Sequence, residues 1–151
     1  MTFANAITIE RPRRDVYWFL AHFENIPTWN YAIVETHAVS DDPVAVGKIY
    51  RQIRSMPYRA EETFEITTFE PDLALKIEGK FGPLHGTFAY ELEDQGFATL
   101  LTNTVHLEAR GLAKIAAARN ADRLRQAVAA NLGTLKEVLE GSPDGTERER
   151  T

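Results

Sequence analysis

The chain has 151 residues, 44% hydrophobic and 26% charged: enough for one domain with a real core, and neither a disordered nor a membrane-embedded composition. A net charge of -5 argues against a nucleic-acid backbone or an anionic membrane as partner, since both reward a basic patch. Cysteine is absent, which excludes disulfides, thiolate metal sites and thiol catalysis.

The opening stretch, MTFANAITIERPRRD, lacks the basic-then-apolar layout of a signal peptide. No stretch approaches the roughly 20 apolar residues of a membrane span. A cytoplasmic protein without membrane insertion is the expectation. Asn5 to Glu10 alternates, with Ile7 and Ile9 on one face, and predicts a first strand. Pro12 suits a first helical turn, and Val16, Phe19, Leu20 and Phe23 recur at helical spacing, so a short amphipathic helix follows. Asn25 can cap one further turn, with Pro27 inside it, before Trp29.

Strands then follow one another. Ile33–Ser40 and Val46–Arg54 alternate, with Asp41-Asp42-Pro43 between them. After Ser55-Met56-Pro57, the run Tyr58–Phe69 alternates over a longer span. Leu73, Leu75 and Ile77 mark a short strand before Gly79. Leu84–Glu93 and Ala98–Arg110 flank the hairpin signal Asp94-Gln95-Gly96.

Leu112–Glu140 reads as one long helix, rich in Ala, Leu, Arg and Glu and bounded by Gly111 and Gly141. It would span roughly 40 Å. Its apolar stripe predicts anchors at Leu112 and Ile115 on one side and at Leu132, Leu135 and Leu139 on the other. Its middle is small, with Ala116, Ala117, Ala118, Ala121, Ala127, Ala129 and Ala130. Small residues there either let the helix sit close to its cover or leave a cavity. Residues 1–140 read as a single domain, and the polar segment 141–151 as a disordered tail.

Hairpin-length links between consecutive strands make an antiparallel sheet, and its apolar face needs the long helix as cover. The fold class is α+β: about seven strands curved around a C-terminal helix, with two short helices after the first strand.

Several phrases, in order, resemble the START-like, Bet v 1-type (SRPBCC) superfamily, and within it the polyketide cyclase/dehydrase-like branch. They are Ile9-Glu10-Arg11-Pro12 with Asp15-Val16-Tyr17-Trp18-Phe19-Leu20, then Trp29, Val46-Gly47 and Phe64-Glu65-Ile66-Thr67-Thr68-Phe69-Glu70-Pro71. Gly86-Thr87-Phe88-Ala89-Tyr90 and Arg110-Gly111-Leu112 complete the set, which spans about residues 3–140. The resemblance implies a helix-grip fold with a cavity between sheet and helix. It does not imply one function, because the superfamily holds carriers, aromatase/cyclases and hydrolase-like members.

By period two, the inward face holds Ala60, Glu62, Phe64 and Ile66, then Leu73, Leu75 and Ile77. Gly86, Phe88, Tyr90 and Leu92, and Leu101, Asn103, Val105 and Leu107, continue it. Glu62 and Asn103 are polar on an apolar face and must find partners there. The resemblance implies an apolar residue at Glu62, so this chain departs from the pattern. Glu62 is either a pocket acid or base, or a residue whose strand slips phase or reaches solvent at the rim. Asn103 is either an orienting amide or a satisfied core residue. Tyr90, an apolar ring with a polar tip, suits a cavity wall or a plain core. The catalytic candidates are Glu62 and Tyr90. The expected cavity set is Trp29, Glu62, Phe64, Leu75, Phe88, Tyr90, Asn103, Val105, Leu124 and Val128. Its roof should run from Ala116 to Val128, with Ala121 facing the space. Tyr31 and Tyr50 are weaker candidates, their facing being ambiguous.

His22, His37, His85 and His106 show no metal-ligand spacing, and no phosphate loop or nucleophile elbow appears, so neither metal nor cofactor is expected. The basic residues Arg11, Arg13, Arg14, Lys114, Arg119, Arg123, Arg125 and Lys136 read as solvated faces. Three functions stay open. One is binding of a hydrophobic small molecule, lipid-, polyketide- or isoprenoid-like. The second is a polyketide cyclase, aromatase or dehydratase using the same cavity. The third is a ligand-free module acting through its surface or as a homodimer.

Overall fold

The computed structural model describes residues 1–141, and the expected tail, 141–151, lies outside them apart from Gly141. The chain opens with β1 (Thr2–Ile9) and α1 (Arg13–Ala21). A 3-10 turn (Phe23–Asn25) leads into α2 (Ile26–Trp29). Six strands come next: β2 (Ile33–Ala38), β3 (Ile49–Arg54), β4 (Ala60–Glu70), β5 (Ala74–Phe81), β6 (Leu84–Gln95) and β7 (Ala98–Glu108). α3 (Leu112–Arg119) and α4 (Ala121–Glu140) close it.

All strand pairs are antiparallel, in the order β1-β7-β6-β5-β4-β3-β2. β1 and β2 are neighbours in sequence but opposite edges of the sheet. The segment holding α1 and α2 must therefore cross from one edge to the other. Its aromatic residues hold that crossing down: the Phe23 ring meets Tyr50 at 5.0 Å and Phe64 at 5.3 Å, and Tyr17 meets Phe69 at 5.8 Å. Pro12 starts α1 earlier than the apolar spacing predicts, its carbonyl accepting from Asp15 and Val16.

Gly79 and Gly86 pair with each other across β5 and β6, flanked by Phe64 on β4 and Leu107 on β7. A methyl at Gly86 would lie 1.9 Å from the His106 carbonyl oxygen, and one at Gly79 2.2 Å from that of Thr63. Only glycine permits this approach.

The predicted inner face is mostly buried from Glu62 through Leu107, with Phe88 half-buried and two further departures. Leu73 lies before β5 and is exposed, so β5 starts at Ala74. An irregularity between Ile66 and Thr68 shifts the phase of β4, which pairs Phe69 rather than Thr68 with Leu75. β3 starts at Ile49, and Val46 is exposed.

The long helix is interrupted. Asn120 separates α3 from α4, its side chain donating to the Ala116 carbonyl at 2.7 Å. A short polar side chain that bonds its own backbone competes with helix continuation. The expected anchors Leu112 and Ile115 are instead 85% and 55% exposed, because α3 buries no residue. The other anchors hold: Leu132, Leu135 and Leu139 are buried. Polar bonds clasp that end to the β1–α1 corner. Arg11 donates to the Leu139 carbonyl at 2.7 Å, Glu10 N–H to Glu140 Oε2 at 2.7 Å, and Lys136 to the Thr8 carbonyl at 2.6 Å.

Partial desolvation would raise the Glu140 carboxyl, but hydrogen bonds from Lys136 and Glu10, with the Lys136 charge, outweigh it and hold the group below its ordinary value. A depressed carboxyl stabilises the fold above its unfolded pKa, about 4.3, and that stability is lost as pH falls through the lowered folded value. Urea midpoints at neutral pH and at about pH 3 should therefore fall further apart for the wild type than for Glu140→Gln. Equal drops would show that the clasp is not charge-dependent. Gly86→Ala should cost at least about 3 kcal/mol in urea unfolding, since its methyl meets backbone rather than a yielding side chain. A loss under about 1 kcal/mol would refute the close approach.

Candidate functional site

Between the inner face of the sheet and the closing helices lies a cavity of about 770 Å³. Its volume falls within the range of small-molecule sites. The space follows from side-chain volume. Leu132, Leu135 and Leu139 fill one end, whereas the roof toward the other end is built from Ala113, Ala116, Ala117 and Ala127. Leu124 and Val128 hang half-buried between them. Ala121, on the expected roof, is not one of the lining residues.

The floor is aromatic and already packed. Phe81 and Phe88 meet edge to face at 4.8 Å, and Phe64 stacks on Phe81 at 6.3 Å. Trp29 enters from α2, while Tyr31, Met56 and Tyr58 stand exposed along the lining. Of the expected cavity set, Trp29, Phe64, Phe88, Tyr90, Asn103, Leu124 and Val128 line this space. Leu75 and Val105 do not; both are fully buried by packed neighbours.

Glu62 does not line the cavity either, and neither simple reading of it holds. It keeps strand phase and is buried, its side chain 1% exposed. Both oxygens are occupied. Oε2 accepts from Arg54 Nε at 2.8 Å and from the Gly82 N–H; Oε1 accepts from Gln52 Nε2 at 2.8 Å and Arg54 Nη2 at 3.1 Å. This paired guanidinium and carboxylate, with added donors, is how a buried charge is tolerated. The wall presents Gln52 and Arg54 to the cavity, with Glu62 bonded to both. These two, together with Phe81, are lining residues that strand alternation did not single out. Reading Tyr50, Gln52 and Arg54 as one face of β3 would have found them.

Tyr90 pairs with Asn103 across β6 and β7. Burial pushes its hydroxyl well above the ordinary value, so the phenol keeps its proton near neutral pH. Asn103 Nδ2 donates to the Ala89 carbonyl at 3.1 Å. Among the described residues no Asp, Glu or His lines the cavity; the ionisable ones that do are Arg54, Arg123, Tyr31, Tyr58 and Tyr90. No group of three or more His, Asp or Glu able to hold a metal occurs among the described residues. His106 lies on the exposed face, bonded to Thr2 and Glu108.

The family model described as polyketide cyclase / dehydrase and lipid transport matches residues 1–140. The chain belongs to this family. A comparison with curated proteins finds no match. Among solved structures, the Zhui aromatase/cyclase from Streptomyces sp. R1128 superposes with a TM-score of 0.79 at 12% identity, over 97% of each chain. A START superfamily protein from Mycobacterium smegmatis gives 0.67 at 13% identity, over 89% of this chain and 98% of that one. Ara h 8.0201 gives 0.74 at 13% identity, over 94% and 99%. At such identities the likeness carries the fold, a START-like helix grip, and nothing finer.

The Glu62–Arg54 pair yields a stability prediction. Glu62→Gln should cost about 2 kcal/mol in urea unfolding, below the usual range for a fully buried pair because Arg54 is 21% exposed. An unchanged midpoint would mean that the guanidinium does not need this carboxylate.

Proposed function

We propose that the protein binds a hydrophobic small molecule, lipid-, polyketide- or isoprenoid-like, in the cavity between sheet and closing helices. The observation that supports this best is the cavity itself: about 770 Å³, walled by phenylalanine and roofed by alanine, leucine and valine. Apolar lining of that extent left facing water is costly, and an apolar occupant offsets the cost. A filled core working only through its surface would have no reason to carry alanine along this roof.

A second reading, a cyclase, aromatase or dehydratase acting in the same cavity, is supported by the description of the family. Proton abstraction beside a carbonyl needs a base poised near neutral pH. Among the described residues the cavity lining offers no carboxylate and no imidazole, and Tyr90 is held protonated. Glu62, the other candidate, already accepts four hydrogen bonds. Binding without turnover is therefore the reading the chemistry favours.

Native mass spectrometry of the purified protein should show a non-covalent apolar adduct. Ala127→Trp should remove it while leaving the melting temperature within about 3 °C, because the indole enters open space rather than packed core. Wild-type protein that carries nothing and takes up no apolar dye would sink the proposal. A large loss of stability in Ala127→Trp would mean that the space is already packed.

A further inference from the structure

Two arginines line the cavity, and they differ in what answers their charge. Arg54 gives Nε and Nη2 to Glu62. Arg123 enters no ion pair and no side-chain hydrogen bond among the described residues. Its place on the roof follows from helical spacing. Arg123, Ala127 and Asn131 form one row of α4, each four residues from the next, and Leu124, Val128 and Leu132 form the row beside it. All six line the space. Arg123 is exposed and Leu132 is buried, so the two rows run from an open, charged end to a closed, apolar one. At about 1.5 Å per residue, Arg123 and Leu132 lie roughly 14 Å apart along the helix.

The charges around Arg123 do not cancel it. Its neighbours one turn away on the helix surface are Arg119, Asn120, Gln126 and Ala127, none of them acidic. Asp122 is next to it in sequence, but adjacent residues of a helix do not face each other. From Leu112 to Ala130 the closing helices carry Lys114, Arg119, Arg123 and Arg125 against Asp122 alone, in a chain whose net charge is -5. No carboxylate or imidazole lines the cavity among the described residues. A ligand with an ammonium head would therefore be repelled at this end, and a neutral head would gain nothing from the charge. A carboxylate head matches the planar fork of a guanidinium and supplies its missing counter-charge.

Resting on the binding reading above, we propose that the cavity takes an amphipathic acid, with its apolar chain under Leu124, Val128 and Leu132 and its carboxylate at Arg123 by the opening. The aromatic floor then meets hydrocarbon, and the head stays where water still reaches it, so that no unpaired charge is carried into the apolar end. The reading that competes with this one gives Arg123 only its stem, laid along the apolar rim with the guanidinium in water. That reading makes the cavity indifferent to the charge of the head.

Three probes of one chain length separate the two: decanoate, decanol and decylammonium, each displacing the neutral apolar dye Nile red from the full-length protein at neutral pH. Decanoate should bind about fivefold or more tighter than decanol, and decylammonium weakest. Arg123→Gln should bring decanoate down to within about twofold of decanol, and Arg123→Glu should place decylammonium above decanoate. Both variants alter an exposed helix position, so their melting temperatures should stay near that of the wild type. Equal binding of the three probes, or a preference for decylammonium, overturns the acid inference while apolar binding stands. A decanoate preference that survives Arg123→Gln overturns the assignment to Arg123. If neither Nile red nor any of the three binds up to its solubility limit, the binding reading falls and this inference with it.

Discussion

A curved sheet needs a cover, and here the cover runs out of bulk halfway along. α4 presents Leu132, Leu135 and Leu139 to the sheet at its C-terminal end, where they are buried. Toward its start it presents Leu124, Ala127 and Val128, and α3 presents Ala113, Ala116 and Ala117. The sheet cannot follow it inward. At Gly79 and Gly86 the backbone already lies too close to β4 and β7 for a methyl group. The clasp of Arg11, Glu10 and Lys136 on the end of α4 holds the leucine end in place. One end is therefore tied and packed while the other stands away from the floor, and the cavity is the geometric remainder. Interiors elsewhere reach crystal-like density, so a remainder of this size is a feature of this side-chain distribution rather than of loose packing.

The second constraint is electrostatic. A carboxylate in an apolar wall is tolerated only with its partners beside it, and Glu62 collects a guanidinium, an amide and a backbone N–H. That arrangement gives Glu62 a structural task. It pins Arg54 and Gln52 to one wall and joins β3 and β4 to the β5–β6 turn through Gly82. The amide of Gln52 is oriented only because Glu62 draws its NH2 group. The charge pair is thus upstream of the polar character that the cavity shows a ligand.

How much of this was legible in the sequence follows from what periodicity reports. Alternation marks which side of a strand is apolar, and it identified the inner faces of β4, β6 and β7, including the polar intruders Glu62 and Asn103. It does not report what lies opposite. Leu112 and Ile115 carry the right spacing for a core face, yet among the described residues nothing buries α3, so they are exposed. The break at Asn120 was hidden for a related reason: one side-chain bond to the Ala116 carbonyl outweighs a propensity summed over many residues. Gln52 and Arg54 were missed because a polar residue on a strand reads as outward until a buried partner is known. Leu75 and Val105 were over-included because facing inward is not the same as facing a void. The family phrases carried the architecture, and the family model matches residues 1–140.

The description of the family joins cyclase, dehydrase and lipid transport in one phrase, so membership cannot rank them. The ranking has to come from the wall. A cavity that turned over its ligand would need a group able to change protonation during the reaction. Among the described residues this one offers amides, which do not titrate, the Arg54 guanidinium locked to a carboxylate, Arg123, the exposed Tyr31 and Tyr58, and Tyr90, which burial keeps protonated. These are groups of fixed donor and acceptor sense. Groups of fixed sense hold one hydrogen-bond pattern and exclude others. The same argument explains the departure at Glu62. An apolar residue there would leave Arg54 without its counter-charge and Gln52 free to turn, and the pattern would be lost. What the carboxylate contributes is the orientation of its neighbours, and with it the sense of the wall.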